Sequence, residues 1–201
     1  ARAMRDAGLP FLDLRPALLA AKGVRRAYWY TDTHWNGWGA LAGSMAIVDR
    51  LRENFPSMPP LRAEDYAMVQ WDARGGDLAE MLFLENSVRE PMIEMAPRTP
   101  NRARVAQPRG YVNPATLSGR DMVILETPDP ALPRAVFFRD SFASSAVPFL
   151  AERFSRSVFL WTHAFQPAIV LAEKPDVVVF EAVERYQHAL FLSPDAPYPT
   201  E

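Results

Sequence analysis

The sequence predicts an α/β fold with a mostly parallel sheet and helices on both faces. From residue 134 onward, short apolar runs alternate with stretches of helical spacing, and the same alternation runs from 9 to 54. The chain has 201 residues and is 49% hydrophobic, enough for one domain with a sizeable core. That domain is expected over 1–192, with a Pro/Arg-rich excursion at about 86–133 and a loose Pro-rich tail at 193–201.

Ala1 to Ala7 has the pattern of a helix end, stopped by Gly8. Leu9 to Leu14 is expected as a short buried strand. Arg15-Pro16 opens a helix through Lys22, with Pro early and Gly23 past the end. Ala27 to Tyr30 is expected as a second strand. Asn36 is the expected N-cap of a helix over 37–54, whose apolar stripe is Leu41, Met45, Ile47, Val48 and Leu51. Phe55 to Pro60 breaks it. Tyr66 to Trp71 has strand character, and Gly75-Gly76-Asp77 is a turn into a short helix over 78–84 with Asp77 as cap. In the excursion, short strands are expected at Arg102 to Ala106 and Met122 to Leu125. Further on, strands are expected at Arg134 to Phe138, Val158 to Trp161 and Asp176 to Phe180. Helices are expected at Ser144 to Phe154 and Phe165 to Glu173, and a terminal element begins at Glu184.

Composition excludes several classes. A net charge of −2 with scattered basic residues gives no case for nucleic acid. No apolar run is long enough to span a membrane. The lack of cysteine removes disulfides and thiolate metal sites. The chain starts at Ala1 without Met and is expected to be an excised fragment that lacks its opening part.

The chemistry concentrates in Thr31-Asp32-Thr33-His34-Trp35-Asn36. A carboxylate two residues from an imidazole can fix its tautomer and stabilise the imidazolium. The missing nucleophile is expected at Ser141, where the run Val136-Phe137-Phe138-Arg139-Asp140-Ser141-Phe142 passes from strand to helix. Its amide and the next are expected to face an oxyanion. Ser141 or Asp140 can equally be a helix cap, and His34 can equally be a structural histidine beside a turn aspartate. A metal at Asp32 and His34 needs a further ligand, and no matching acid lies near His163 or His188. Aromatic residues around the dyad, Tyr28, Trp29, Trp35 and Trp38, suit sugar stacking or core packing. His163, after a strand, can bind substrate or sit in a loop. Glu181, Glu184 and Arg185 follow the last strand, where an intramolecular ion pair is the modest reading.

These residues carry a resemblance. Asp32-Thr33-His34-Trp35-Asn36 followed by Gly39-Ala40, then Gly76-Asp77-Leu78, then Asp140-Ser141-Phe142, then Lys174-Pro175-Asp176-Val177-Val178 and Val183-Glu184-Arg185, resemble the SGNH hydrolase-like domain of the alginate O-acetyltransferases AlgX and AlgJ. The resemblance runs from about residue 9 to about residue 187. It implies a three-layer α/β/α sandwich with a permuted motif order, the Asp-His pair preceding the serine. It implies Ser141 as nucleophile, His34 as base and Asp32 as its orienter, with acetyl transfer to an exopolysaccharide through an acetyl-serine. Trp35, Tyr30, Arg139 and His163 are the expected substrate-binding residues, and no cofactor or metal is expected. Arg139 stands where an ordinary SGNH first block has Gly. The resemblance further implies a periplasmic or extracytoplasmic location, a membrane anchor in the full-length protein, a polysaccharide acceptor and a membrane acyltransferase partner supplying the acetyl donor. The other readings are an acetylesterase with the same triad and a non-catalytic polysaccharide-binding domain.

Overall fold

A computed structural model describes residues 6–8, 10–109 and 122–186. The expected N-terminal helix end and Leu9 lie wholly or largely outside these residues, as do part of the excursion and the 193–201 tail. The chain divides into two compact units, Ala1–Asn101 and Arg102–Glu201.

In the first unit, helix α1 spans Arg15–Val24, with Pro16 in its first turn and Gly23 inside it. Helix α2 spans Gly37–Arg52 and is tied to α1 by the Trp38 indole N–H, which donates to the Ala21 carbonyl at 3.0 Å. Asn36 caps α2 as expected: its side-chain oxygen accepts from the Gly39 amide at 3.0 Å. The buried Asn36 also donates through its side chain to the Arg26 carbonyl at 2.8 Å, fixing how the preceding loop enters the helix. Strand β1, Tyr66–Arg74, pairs antiparallel with β2, Arg89–Pro97, and the short helix α3, Asp77–Met81, lies between them in sequence. Phe83, at φ 57°, follows α3.

Two expected strands are absent here. Residues 10–14 are irregular, because Asp13 turns its carboxylate onto the Arg15 amide at 3.1 Å and onto the Arg15 guanidinium, a local polar pairing that competes with a ladder. Ala27 to Tyr30 forms one isolated bridge, Tyr28 to Trp35. Its backbone groups are used inside the loop: Asn36 N–H donates to the Ala27 carbonyl at 2.9 Å and Trp29 N–H to the His34 carbonyl at 3.2 Å. Strand β2 was hidden in the Pro-rich excursion. Its Pro91 and Pro97 are tolerated because a two-stranded ladder has only edge strands.

In the second unit, β3 (Arg104–Val105), β4 (Met122–Glu126), β5 (Arg134–Arg139), β6 (Arg156–Trp161) and β7 (Val177–Phe180) form one sheet in the order β3-β4-β6-β5-β7. Pairings of β5 with β6 and β7 are parallel, and those of β4 with β3 and β6 antiparallel. The sheet is therefore mixed rather than mostly parallel, and residues 10–54 add no strand to it. Helix α4, Val147–Ala151, connects β5 to β6, and α5, Pro167–Glu173, connects β6 to β7. The expected helix over 144–154 is instead a 3-10 turn, Phe142–Ser145, followed by α4, with Pro148 in its first turn.

The alternation of apolar residues sorts the two faces of this sheet. Val136, Phe138, Val158 and Leu160 pack with Ile169 of α5 on one side. Phe137, one residue out of phase, stacks on Phe159 at 4.6 Å and meets Phe154, beyond α4, edge-on at 5.5 Å. All these phenylalanines are at most 1% exposed, so truncating one costs about 3–5 kcal/mol. At the start of β6 the buried Arg156 is forked by Glu173 at 2.6 and 2.8 Å and reaches Glu126 at 2.7 Å, which keeps it charged.

Candidate functional site

In the first unit, loop 30–34 has no regular structure of its own and is held by side chains from elsewhere. Glu90 of β2, 3% exposed, accepts from the Tyr30 amide at 2.7 Å and the Thr31 hydroxyl at 2.5 Å. The Thr31 hydroxyl in turn accepts from the Gly76 amide at 2.8 Å, and the Thr31 carbonyl accepts from Leu78 and Ala79 amides at 3.0 and 3.3 Å. Gly76 is required by contact: a Cβ there would lie 2.5 Å from the Asp32 Cβ. Asp77 accepts from the Thr33 amide at 2.7 Å and from the Thr33 hydroxyl. Asp77 is thus a loop clamp, not the helix cap the sequence suggested; the cap position is Gly76.

This scaffold brings Asp32 and His34 together. Asp32 Oδ1 lies 2.6 Å from His34 Nδ1 and accepts from the His34 amide at 2.8 Å, while Oδ2 accepts from the Asp77 amide at 3.3 Å. Partial burial pushes the Asp32 carboxyl up, but the His34 amide, the His34 ring and the Asp77 amide outweigh it and hold the group below its usual range. An anionic Asp32 at Nδ1 selects the tautomer whose proton sits on Nδ1, so Nε2 carries the acceptor lone pair. The Asp77 carboxylate also lies 3.7 Å from His34 Nδ1. Asp32, His34 and Asp77 offer atoms within 4.8 Å of one another, a donor set of metal-ligand type. Within that set Asp32 pairs with the His34 ring and Asp77 with Thr33.

In the second unit, β5 lies between its parallel neighbours β6 and β7. Ligand sites of open α/β sheets lie beyond the carboxyl ends of the strands. Asp140-Ser141 follows β5 there and Glu181 follows β7. Asp140 does the capping: its Oδ1 accepts from the Phe142 amide at 2.8 Å and its Oδ2 from the Val183 amide at 2.7 Å. Ser141 makes no side-chain cap bond to the 3-10 turn. The cap alternative thus belongs to Asp140. Because the Phe142 amide is bonded to Asp140, the expected oxyanion role of that second amide does not hold.

The other expected contact residues fall into different settings. Trp35 is 3% exposed, its ring fills the space above Gly43 and its Cβ packs on Gly39, so it is core rather than a stacking face. Tyr30 is 71% exposed, with the Arg26 guanidinium over its ring. Arg139 is buried; it donates to the Ser144 hydroxyl at 2.7 Å and the Asp140 carbonyl at 3.1 Å and lies over Trp161. Arg139 therefore braces the Ser141 turn from within. His163 packs against Tyr186 with ring centres 5.3 Å apart. Glu90 left no trace in the sequence: its partners are about sixty positions away, and only the Gly76-Asp77-Leu78 motif pointed toward the clamp.

The chain thus holds an α/β sheet in its second unit and an oriented Asp-His pair in its first. The sequence matches the family ALGX, described as SGNH hydrolase-like domain, acetyltransferase AlgX, over residues 1–114, and the chain belongs to that family. No curated protein matches it. Among solved structures it is similar to a DHHW family protein from Eubacterium siraeum, at 16% identity and TM-score 0.66, covering 86% of this chain and 64% of that one. It is also similar to Bacillus cereus PatB1, at 18% identity and TM-score 0.57, covering 82% of this chain and 65% of that one. PatB1 with a sulfonyl adduct matches at 18% identity and TM-score 0.56, covering 80% and 61%. The chain thus spans less than two thirds of the length of these structures, and the likeness is one of fold. Among the described residues, no helix is long and apolar enough to cross a membrane.

Proposed function

We propose that the chain is an O-acetyltransferase that moves an acetyl group onto a carbohydrate hydroxyl through an acetyl-serine on Ser141. The observation that carries the reading is the Asp32–His34 pair: a carboxylate held anionic, 2.6 Å from Nδ1, leaves Nε2 as the acceptor. Membership of a family described as acetyltransferases supports the reaction type.

In this mechanism His34 Nε2 takes the proton of Ser141 as its Oγ attacks the carbonyl carbon of an acetyl donor. The tetrahedral intermediate collapses, the donor's leaving group departs with the proton from the imidazolium, and Ser141 is left as an acetyl ester. A sugar hydroxyl then attacks that ester and gives its proton to His34. As the Ser141–acyl bond breaks, the imidazolium returns the proton to Oγ. Asp32 stabilises the imidazolium at both stages and stays ionised. Exposed Tyr30 and half-buried His163 are assigned to the acceptor, Arg139 to support of the serine turn.

The same reading includes the finer expectations: a three-layer sandwich, an exopolysaccharide acceptor, an extracytoplasmic location and a membrane acyltransferase partner as source of the acetyl group. The test is to incubate the protein with a chromogenic acetyl ester, with and without candidate oligosaccharides, and to look for acetylated sugar by mass spectrometry. Acetylated product that disappears in Ser141→Ala is expected. Ester turnover with no transfer to any sugar sinks the transferase in favour of an esterase.

A further inference from the structure

The turn that carries Ser141 is stitched to the end of β7 by groups the proposed mechanism does not use. Glu181 donates its backbone N–H to the Phe138 carbonyl at 2.8 Å, extending the parallel ladder by one bond. Its side-chain Oε2 accepts from the Asp140 amide at 3.2 Å, so the carboxyl sits directly beneath the residue preceding the serine. Asp140 answers by accepting from the Val183 amide at 2.7 Å. Two carboxyls thus face one another across a pair of strand ends, and Asp140 is 2% exposed.

Two close carboxyls with little water cannot both ionise cheaply. Their surroundings decide which keeps the proton. Asp140 accepts two backbone N–H bonds, from Phe142 and Val183. Glu181 accepts one. Burial pushes the Glu181 carboxyl up, the Asp140 charge and the hydrogen bond between the two side chains push it further, and together they set it at about 8. The Asp140 amide and the Arg139 guanidinium act in the opposite sense without offsetting them. Arg139 is engaged by the Ser144 hydroxyl, the Asp140 carbonyl and Trp161. On the following 3-10 turn, Arg185 lies over Phe142 and Tyr186. Glu184 is the other charged group on that turn.

We propose that Glu181 is a positioning residue that works as a neutral acid: its protonated carboxyl, paired with Asp140, holds the turn that presents Ser141, and loss of that proton loosens the turn. The consequence for activity rests on Ser141 being the nucleophile; the latch itself does not. A second anion beside Asp140 repels it and competes for the amides that hold the turn, so the device shuts the site on the alkaline side.

The test combines a local and a functional readout. Nitrogen-15 amide signals of Ser141, Phe142 and Val183 are followed from about pH 6 to about pH 10, and the rate of covalent labelling by a sulfonyl fluoride is measured over the same range. In the wild type the three amides should shift together with a midpoint near 8, and labelling should fall through that midpoint. Glu181→Gln keeps a neutral acceptor for the Asp140 amide. It should abolish the shared titration and the alkaline fall while labelling at neutral pH within about threefold of the wild type. The proposal is overturned if the amides titrate alike in Glu181→Gln, or do not titrate near 8 in the wild type. Should the variant not fold, the carbon-13 signal of the wild-type Glu181 carboxyl decides: a transition near 8 supports the latch and one in the ordinary carboxylate range overturns it. If Ser141→Ala labels as fast as the wild type, the acyl-serine reading fails, and the amide titration still decides the latch.

Discussion

The two units each hold a pair of acidic side chains beside a chemically useful residue, and they treat those acids in opposite ways. Around His34, Asp32 is surrounded by donors: the His34 amide, the His34 ring and the Asp77 amide. Beyond β5 and β7, Glu181 has the Asp140 amide as a donor and the Asp140 carboxyl as a neighbour. Both carboxyls lose water, yet the first is held as an anion and the second as an acid. Glu181 is the more deeply buried, and it has fewer donors and a like charge beside it; together these decide between them. The difference fits the proposed roles: an orienter of imidazolium must be charged, whereas a brace beside Asp140 must not be.

The largest expected effect comes from breaking the first pair. His34→Ala should slow ester turnover on the order of 10⁴-fold, because an unassisted hydroxyl is a poor nucleophile. Asp32→Asn should cost on the order of 10³-fold while leaving the circular dichroism spectrum unchanged, since the amide preserves shape and loses the orienting charge. An Asp32→Asn enzyme as fast as the wild type shows that the charge at Nδ1 is not used.

Next is Gly76→Ala, which pushes a methyl against Asp32. A stability loss of about 1–3 kcal/mol is expected by denaturant unfolding, with loss of turnover larger than that alone explains. Retained stability and turnover would mean the loop gives way and the clamp is loose.

The pH dependence of stability sharpens the comparison, because the two acids give opposite slopes. Asp32 titrates lower in the folded chain than in the unfolded one, so its contribution is complete above the ordinary carboxylate range and is lost as pH falls through its folded value. Glu181 is raised from 4.5 to about 8, so its contribution is complete below about 4.5 and fades as pH rises toward 8. Unfolding midpoints measured against pH should show Asp32→Asn flattening the acid limb and Glu181→Gln flattening the decline between about 4.5 and about 8. The same limb flattened by both variants contradicts the assignment. The smallest effect should be Ser145→Ala, within about 1 kcal/mol, since the bond from its hydroxyl to the Phe142 carbonyl is long, 3.3 Å. Ser144→Ala is a less neutral control because it removes an acceptor of Arg139.

Legibility in the sequence followed the range of the interactions involved. Strands β5 and β6 announced themselves because a buried central strand is apolar whatever its neighbours, and the edge strand β7 because its run Val177-Val178-Val179-Phe180 is β-branched and apolar throughout. Asn36 could be identified as a cap because its partner, Gly39, is three residues away. Leu9 to Leu14 and Ala27 to Tyr30 carried the same apolar signal and failed, since a short run does not reveal whether a partner strand exists. Asp32 and His34 were visible as a pair two residues apart. Glu90 and the clamp role of Asp77 were not, because their bonds to the loop cross forty-four to sixty positions. Arg139 looked like a substrate contact, and only its bonds to Ser144 and Asp140 place it inside the turn.

The central claim, that Ser141 is a nucleophile activated by His34 and Asp32, is tested most directly by covalent trapping. Wild type, Ser141→Ala and His34→Ala are treated with a sulfonyl fluoride, and the modified peptide is located by tandem mass spectrometry. One adduct on Ser141 in the wild type, none in Ser141→Ala and a rate lower by orders of magnitude in His34→Ala is the predicted result. An adduct on another residue, or equal labelling in all three proteins, contradicts it.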